Sequence, residues 1–111
     1  MSDDPTTDVP LTVECLPGVE RPMVVVRGEM DAFTADAVRA AVVEDCDGSV
    51  DLDLEGVTFM DSSGLGTLIV THQLMEGAGR RMAITSRSPI VDRLFELSGV
   101  AARFHLEPGD A

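Results

Sequence analysis

The chain has 111 residues, and its 20 acidic and eight basic side chains give a formal net charge of −12 at pH 7. This length suits a single domain, and the charge argues against binding to nucleic acid or to an anionic membrane surface, since both require clustered positive charge. The hydrophobic fraction of 44 %, with four Phe and no Trp or Tyr, predicts one modest and largely aliphatic core.

The two ends of the chain are predicted to lie outside the folded domain. Residues 1–10 are polar and acidic, with neither a basic segment nor an apolar segment of a signal peptide, and are predicted to be a disordered lead. Residues 107–111 form a short tail. The longest apolar stretch, 65–70, is far shorter than the ~20 residues needed to cross a bilayer. We therefore expect a cytoplasmic protein.

The first third of the chain predicts a hairpin followed by a helix. Leu11–Leu16 alternates apolar and polar residues, as a half-buried strand does, and Met23–Arg27 is a continuous apolar run typical of a central strand. The short loop between them predicts antiparallel pairing. Either Asp31 or Thr34 is the expected cap of the first helix, which ends near Asp45.

The middle of the chain contains the clearest strand. In Ser49–Leu54 the apolar residues face one way, whereas Asp51 and Asp53 face the other. Gly56 is expected to break this strand, and residues 57–60 then form a short extended approach to the second helix.

The second predicted helix is capped by Ser62 or Ser63 and ends at Gly77. A strand, Met82–Thr85, follows it. The third helix, 89–98, is capped by Ser88 and ended by Gly99, and Ala102–Leu106 is a last edge strand. The order β-β-α-β-α-β-α-β implies right-handed parallel crossovers. Because two strands clearly alternate, we predict a single α/β domain with a mixed sheet, helices mainly on one face, and the other face largely bare.

Three further features are assigned structural roles. Cys15 and Cys46 lack a CxxC motif or a His partner, which favours two reduced and buried thiols over a disulfide or a metal site. His72 lies on the apolar stripe of the second helix and is expected to pack there. The Arg80-Arg81 pair is expected to be the solvated start of a strand.

The segment 59–66, with the sequence FMDSSGLG, is the most informative part of the chain. Two hydroxyl groups stand beside the Asp61 carboxylate where an extended segment becomes a helix, and helix N-termini offer unpaired N–H groups. The segment fails the templates for a nucleophile elbow, a dinucleotide loop and a P-loop, and the chain has no Lys. Two isolated His residues make neither a triad motif nor a metal site. No cofactor or metal is therefore expected.

Three blocks of this sequence resemble the STAS-domain family of anti-sigma factor antagonists. The run 60–66 is similar to the phosphorylation signature of that family, and the run 28–34 is similar to its Gly-Glu-Leu-Asp-x-x-Thr element. The run 88–99 resembles its third-helix region. The blocks occur in the family order, and the resemblance covers roughly residues 11–106, which it identifies as a STAS domain. Some members continue past the last strand into a further helix, whereas this chain ends five residues after Leu106, so no partner contact is assigned to such a helix.

The resemblance implies a partner switch and not an enzyme. In such a switch the unphosphorylated protein binds an anti-sigma factor, itself an ATP-dependent serine kinase, and a sigma factor is released. Phosphorylation of the serine after the aspartate, here Ser62, ends the binding, and a PP2C-type phosphatase restores it. The remaining residues of the motifs are expected to contact the partner: Asp31, Asp61, Ser63, Gly64, Leu65 and Gly66.

Four of these residues also have a plain structural interpretation. Ser62 and Ser63 are possible helix caps, Asp61 favours the helix dipole, and Asp31 is a possible cap of the first helix. Two other functions also remain open. One keeps the fold and makes the chain a STAS subunit of a transport system or a stress-signalling scaffold. The other is a small hydrolase or nucleotide-binding enzyme that uses Ser62.

Overall fold

The computed structural model describes residues 10–100 and 104–106. The predicted lead, apart from Pro10, the predicted tail and the first part of the predicted last strand lie outside these residues. The elements follow the predicted order: β1 Leu11–Leu16, β2 Met23–Met30, α1 Ala35–Ala40, β3 Val50–Met60, α2 Ser62–Gly77, β4 Met82–Arg87, α3 Pro89–Ser98 and β5 His105–Leu106.

The strands form one mixed sheet in the order β1-β2-β3-β4-β5. The hairpin of β1 and β2 is antiparallel, with Leu16 opposite Met23, as the short loop predicts. The pairs β2–β3, β3–β4 and β4–β5 are all parallel. Parallel strands require crossover connections, and here each crossover between them contains one helix. The predicted mixed α/β sheet is therefore confirmed.

The core lies between one face of the sheet and the three helices. It is aliphatic except for Phe95 and Phe104, whose rings stack with centroids 5.2 Å apart. Fully buried strand residues of this core include Val24, Val26, Met30, Val50, Leu52, Leu54, Met82 and Ile84. On the opposite face, Asp51 is half-buried, and the Nε of Arg21 lies 2.7 Å from its Oδ1.

Strand β3 is longer than predicted, because Gly56 bends it without ending it. Val25 pairs with Asp53, and Arg27 pairs with Gly56, so β3 has one more residue than β2 in this interval. Such an extra residue is a β-bulge. A Cβ at Gly56 would lie 2.6 Å from the Cγ of Arg27, so a glycine suits this position. The bulged strand then continues to Met60, which lies opposite Met30.

The first helix ends at Asp45, as predicted, but its last turn is not α-helical. The α-helical part ends at Ala40, and a π-helical turn, Ala41–Asp45, completes it. The guanidinium of Arg80 donates hydrogen bonds of 2.7–3.0 Å to four backbone carbonyl oxygens at this end, those of Val42, Val43, Cys46 and Gly48. The expectation that Arg80 is simply solvated is therefore wrong: it satisfies carbonyl groups that the end of the helix leaves without partners.

Two other structural predictions can be compared with the structure. His72 is buried, as expected, and its ring meets Phe104 edge-on with centroids 5.4 Å apart. Cys46 is buried, but Cys15 is exposed. The prediction of two buried thiols is therefore wrong for Cys15, because edge strand β1 leaves its end open to solvent.

Candidate functional site

The two loops that carry the candidate residues meet at one edge of the sheet. Strands β2 and β3 end at the paired residues Met30 and Met60, and Asp31 and Asp61 follow directly. The N–H of Asp61 donates to the carbonyl oxygen of Met30 at 3.4 Å. Because neighbouring strands lie about 4.8 Å apart, the parallel pairing brings these two sequence-distant segments together.

Asp61 caps helix α2. Its backbone is extended, and its Oδ1 accepts a hydrogen bond of 3.0 Å from the N–H of Gly64. Its carbonyl oxygen accepts from the N–H of Leu65 at 3.0 Å. The prediction that Ser62 or Ser63 is the cap is therefore wrong. Aspartate and serine are about equally good caps, so composition alone does not decide among three adjacent candidates.

Ser62 and Ser63 are the first two residues of α2, and both are exposed. Since Asp61 serves as the cap, neither hydroxyl is needed to satisfy the backbone, and neither is hydrogen-bonded within the described chain. The first turn of a helix also presents N–H groups and the positive end of its dipole. The position therefore offers an accessible hydroxyl where an added phosphate would be electrostatically tolerated.

The residues after the two serines differ in environment. Gly64 is buried, and a Cβ there would overlap the carbonyl oxygen of Met30. Leu65 belongs to the core, with 7 % of its side chain exposed. Gly66 is half-buried, and a Cβ there would meet no atom within 4 Å. Only Gly66 of these three therefore lies beneath open space on the helix surface.

Asp31 organises the loop before α1. Its Oδ1 accepts from the N–H groups of Phe33, at 2.9 Å, and of Thr34, at 3.1 Å. In return, the N–H of Asp31 donates to the Thr34 hydroxyl oxygen at 2.9 Å. The Thr34 hydroxyl lies 2.7 Å from the carbonyl oxygen of Glu29 and 3.1 Å from Asp31 Oδ1. Of the two predicted caps, Thr34 occupies the N-cap position of α1, but it makes no side-chain capping hydrogen bond there. The side chains of Asp31 and Thr34 instead hold the loop before the helix.

Two exposed phenylalanines beside these loops were missed by the sequence analysis. Phe33 is 94 % exposed, and Phe59, which pairs with Glu29, is 43 % exposed. A chain with only four Phe would be expected to bury all of them. The sequence does contain a signal of this exposure: Phe33 lies between the two candidate caps, Asp31 and Thr34, and outside the apolar pattern of the first helix.

His72 is not placed to activate the Ser62 hydroxyl. His72 lies ten residues further along the same helix, which separates it from Ser62 by about 15 Å along the helix axis. Across residues 10–100 and 104–106, no cluster of three or more His, Cys, Asp or Glu is placed to hold a metal ion. None of the helices within these residues is long and apolar enough to cross a membrane.

Comparisons with known proteins agree with this architecture. The family model described as the STAS domain matches residues 11–109. An anti-sigma F factor antagonist of Paenibacillus polymyxa is 38 % identical over 78 residues, which cover 66 % of each chain. An anti-sigma-B factor antagonist of Staphylococcus aureus is 30 % identical over 87 residues, covering 76 % of this chain and 81 % of that protein.

Solved structures give the same result. The crystal structure of an anti-sigma factor antagonist from Mycobacterium paratuberculosis aligns with a TM-score of 0.75 and 30 % identity, covering 88 % of this chain and 86 % of that one. The anti-sigma factor antagonist SpoIIAA in its unphosphorylated form has a TM-score of 0.64 and 25 % identity, over 89 % of this chain and 90 % of its own. The chain therefore belongs to the STAS-domain family, and its relatives there are anti-sigma factor antagonists.

Proposed function

We propose that this protein is an anti-sigma factor antagonist that is controlled by phosphorylation of Ser62. The unphosphorylated form binds an anti-sigma factor with serine kinase activity, and a sigma factor is released. The kinase then transfers the γ-phosphate of ATP to the Ser62 hydroxyl, the complex separates, and a PP2C-type phosphatase removes the phosphate. The observation that best supports the proposal is that Ser62 is exposed and its hydroxyl makes no hydrogen bond within the described residues, because Asp61 caps the helix.

The relatives support both parts of the proposal. Proteins named as antagonists of anti-sigma F and anti-sigma-B factors share 30–38 % identity with this chain. The Bacillus cell fate determinant SpoIIAA has also been solved in a phosphorylated form, at a TM-score of 0.59 and 25 % identity. A switch acting on a sigma factor would operate in the cytoplasm, where transcription takes place.

We assign the partner surface to the exposed parts of the two loops and the first turn of α2. It comprises Asp31, Phe33, Phe59, Asp61, Ser62, Ser63 and Gly66, and we call it the switch surface. Gly66 supports this assignment, because alanine would fit its position and is favoured in a helix by about 1 kcal/mol. The absence of a side chain there is therefore not required by the fold, and it allows a partner to approach closely.

Gly64 and Leu65 contribute indirectly in this proposal. Both are buried, so neither offers a side chain to a partner. Gly64 allows α2 to begin against the carbonyl oxygen of Met30, and Leu65 anchors the same turn in the core. Together they hold Ser62 beside the loop that contains Asp31.

The effect of phosphate on binding follows from size and charge. A phosphoserine adds about −1.5 to −2 charges. A partner packed closely against Ser62 and Gly66 would have to remove the water around this added charge, which costs free energy. The added charge also stands beside the Asp61 carboxylate. The helix N-terminus tolerates the phosphate in the free protein, so the fold survives while the interface is weakened. A loss of about 3 kcal/mol would reduce affinity more than a hundredfold.

Binding measurements with three single variants test this proposal. Titration calorimetry with the anti-sigma factor kinase should show that Ser62→Ala binds as the wild type does, whereas Ser62→Asp binds at least tenfold more weakly. Ser63→Ala is the matched control, since it removes the adjacent exposed hydroxyl, and it should retain both binding and phosphorylation. Equal affinity of Ser62→Ala and Ser62→Asp would contradict the switch and favour a transport-subunit or scaffold function.

A further inference from the structure

Two cysteines that the proposed switch does not use lie in contact at the opposite end of the sheet. The Sγ atoms of Cys15 and Cys46 are 3.1 Å apart, although the residues are 31 positions apart in the chain. Cys15 lies near the end of edge strand β1, opposite Val24, and Cys46 follows the π-helical turn. Two independent elements therefore bring the only two cysteines of the chain together.

We propose that Cys15 and Cys46 form a reversible intramolecular disulfide when the protein meets a low-molecular-weight disulfide oxidant. A disulfide needs an S–S separation of about 2.05 Å, so the sulfur atoms must approach by about 1 Å. Cys15 lies near the end of an edge strand that pairs with β2 alone, so we expect this adjustment to be confined to that edge of the sheet.

The two thiols have different environments, which sets the order of the reaction. Cys15 is exposed, whereas Cys46 is 5 % exposed. Burial, together with the hydrogen bond to Cys15, raises the pKa of the Cys46 thiol to about 12. An oxidant therefore reaches and reacts with Cys15 first, since the thiolate is the nucleophile and Cys46 is held as the thiol.

The chemical steps balance as a thiol–disulfide exchange. The Cys15 thiolate attacks one sulfur of the oxidant, which forms a mixed disulfide and releases one thiolate. Cys46 then loses its proton and attacks the Cys15 sulfur, which releases the second small thiol. The two protein thiols are oxidised by two electrons in total, and one external disulfide is reduced to two thiols.

The bond would act on the stability of the protein and not on the switch surface. It would join β1 to the end of the first helix and close a loop with a sequence separation of 31 residues, which constrains the unfolded chain. Val24, the strand partner of Cys15, lies six residues before Met30, about 20 Å along β2 from the strand ends that bear the switch surface.

The test is to incubate the full chain with oxidised glutathione and to measure its intact mass without reductant. The expected wild-type product is lighter by the mass of two hydrogen atoms, has no maleimide-reactive thiol, and yields one peptide pair joining Cys15 to Cys46. Thermal unfolding of this product should occur about 10 °C higher than that of the reduced protein, and reductant should reverse the difference.

Single variants provide the controls. Cys46→Ser should stop at a mixed disulfide with one glutathione on Cys15, and Cys15→Ser should gain none while it remains folded, because Cys46 is buried. A wild-type protein that keeps two reactive thiols, carries a stable glutathione adduct on Cys15, or forms disulfide-linked dimers would overturn the proposal. The wild-type measurement decides this even if a variant fails to fold.

Discussion

At the scale of single residues, the division of roles between Asp61 and Ser62 is the central feature of the site. A helix N-terminus needs an acceptor for its free N–H groups, and Asp61 supplies it through its hydrogen bond from Gly64. Because the acceptor is Asp61 and not Ser62, phosphorylation of Ser62 leaves the hydrogen bond from the Gly64 N–H in place. The observed arrangement leaves Ser62 available for modification without a cost to the start of α2.

The two glycines of the motif differ in what they do, which predicts opposite effects of the same substitution. Gly64→Ala should destabilise the protein by about 2 kcal/mol, because its Cβ would overlap the backbone of Met30. Gly66→Ala should stabilise it by about 0.5–1 kcal/mol, since alanine favours the helix and meets no nearby atom. Urea unfolding of both variants measures the difference, and a similar free energy of unfolding for the two would contradict the packing described here.

At the scale of secondary-structure elements, Arg80 connects the end of α2 to the end of the first helix. Arg80 lies three residues after Gly77, where α2 ends, and its guanidinium reaches back to the carbonyl oxygens of Val42, Val43 and Cys46. A cation is also favoured at the negative end of a helix dipole. One side chain thereby secures the π-helical turn and the loop that leads into β3.

Removal of this side chain should be costly. Arg80→Ala is expected to lower the free energy of unfolding by about 3 kcal/mol, because several carbonyl groups lose a charged donor at once. Arg80→Lys should recover only part of this loss, since an ammonium group cannot reproduce the fork of the guanidinium. Arg93→Ala, at an exposed position of α3, is the control and should stay within about 0.5 kcal/mol of the wild type. An equally small change for Arg80→Ala would show that the hydrogen bonds from Arg80 to the end of the first helix contribute little to stability.

The order and type of the elements could be predicted from the sequence, because strand alternation, helical periodicity and Gly or Pro signals agree along most of the chain. The predictions that proved wrong concern interactions between residues that are distant in the sequence. The bulge at Gly56 depends on its approach to Arg27, and the role of Arg80 depends on carbonyl groups more than thirty residues earlier. Local sequence patterns contain neither kind of information.

In the candidate site, too, the local features could be predicted from the sequence and the long-range ones could not. The location of the motif at a strand-to-helix junction follows from the sequence, and the structure agrees. The choice of Asp61 over Ser62 as the cap, and the burial of Leu65, depend on how α2 packs against β2 and the core. The exposure of Phe33 likewise follows from the loop conformation that Asp31 and Thr34 impose.

At the scale of the whole molecule, the proposed switch surface lies at one end of the sheet, where β2 and β3 end. The net charge of −12 would steer the protein toward a basic surface on its partner and speed their encounter. The switch surface also contains two exposed aromatic rings, those of Phe33 and Phe59. Aromatic residues are enriched among the few that carry most of the energy of an interface, so Phe33 is the expected anchor of the complex.

This expectation can be tested by truncating Phe33. Phe33→Ala should leave the free energy of unfolding within about 0.5 kcal/mol, because the ring is 94 % exposed, while weakening kinase binding about tenfold or more. Val19→Ala is the matched control: Val19 is also fully exposed, but it lies in the β1–β2 loop at the other end of the sheet. Equal binding losses for the two variants, or none for Phe33→Ala, would place the interface elsewhere.

The central claim is that Ser62 accepts a phosphate from an anti-sigma factor kinase. The most direct measurement is the intact mass of the protein after incubation with ATP and the candidate kinases of its own genome, followed by peptide mapping. The account predicts a single added phosphate on Ser62, none on the Ser62→Ala variant, and unchanged phosphorylation of Ser63→Ala. A phosphate on another residue, or a well-folded protein that no candidate kinase modifies, would contradict it.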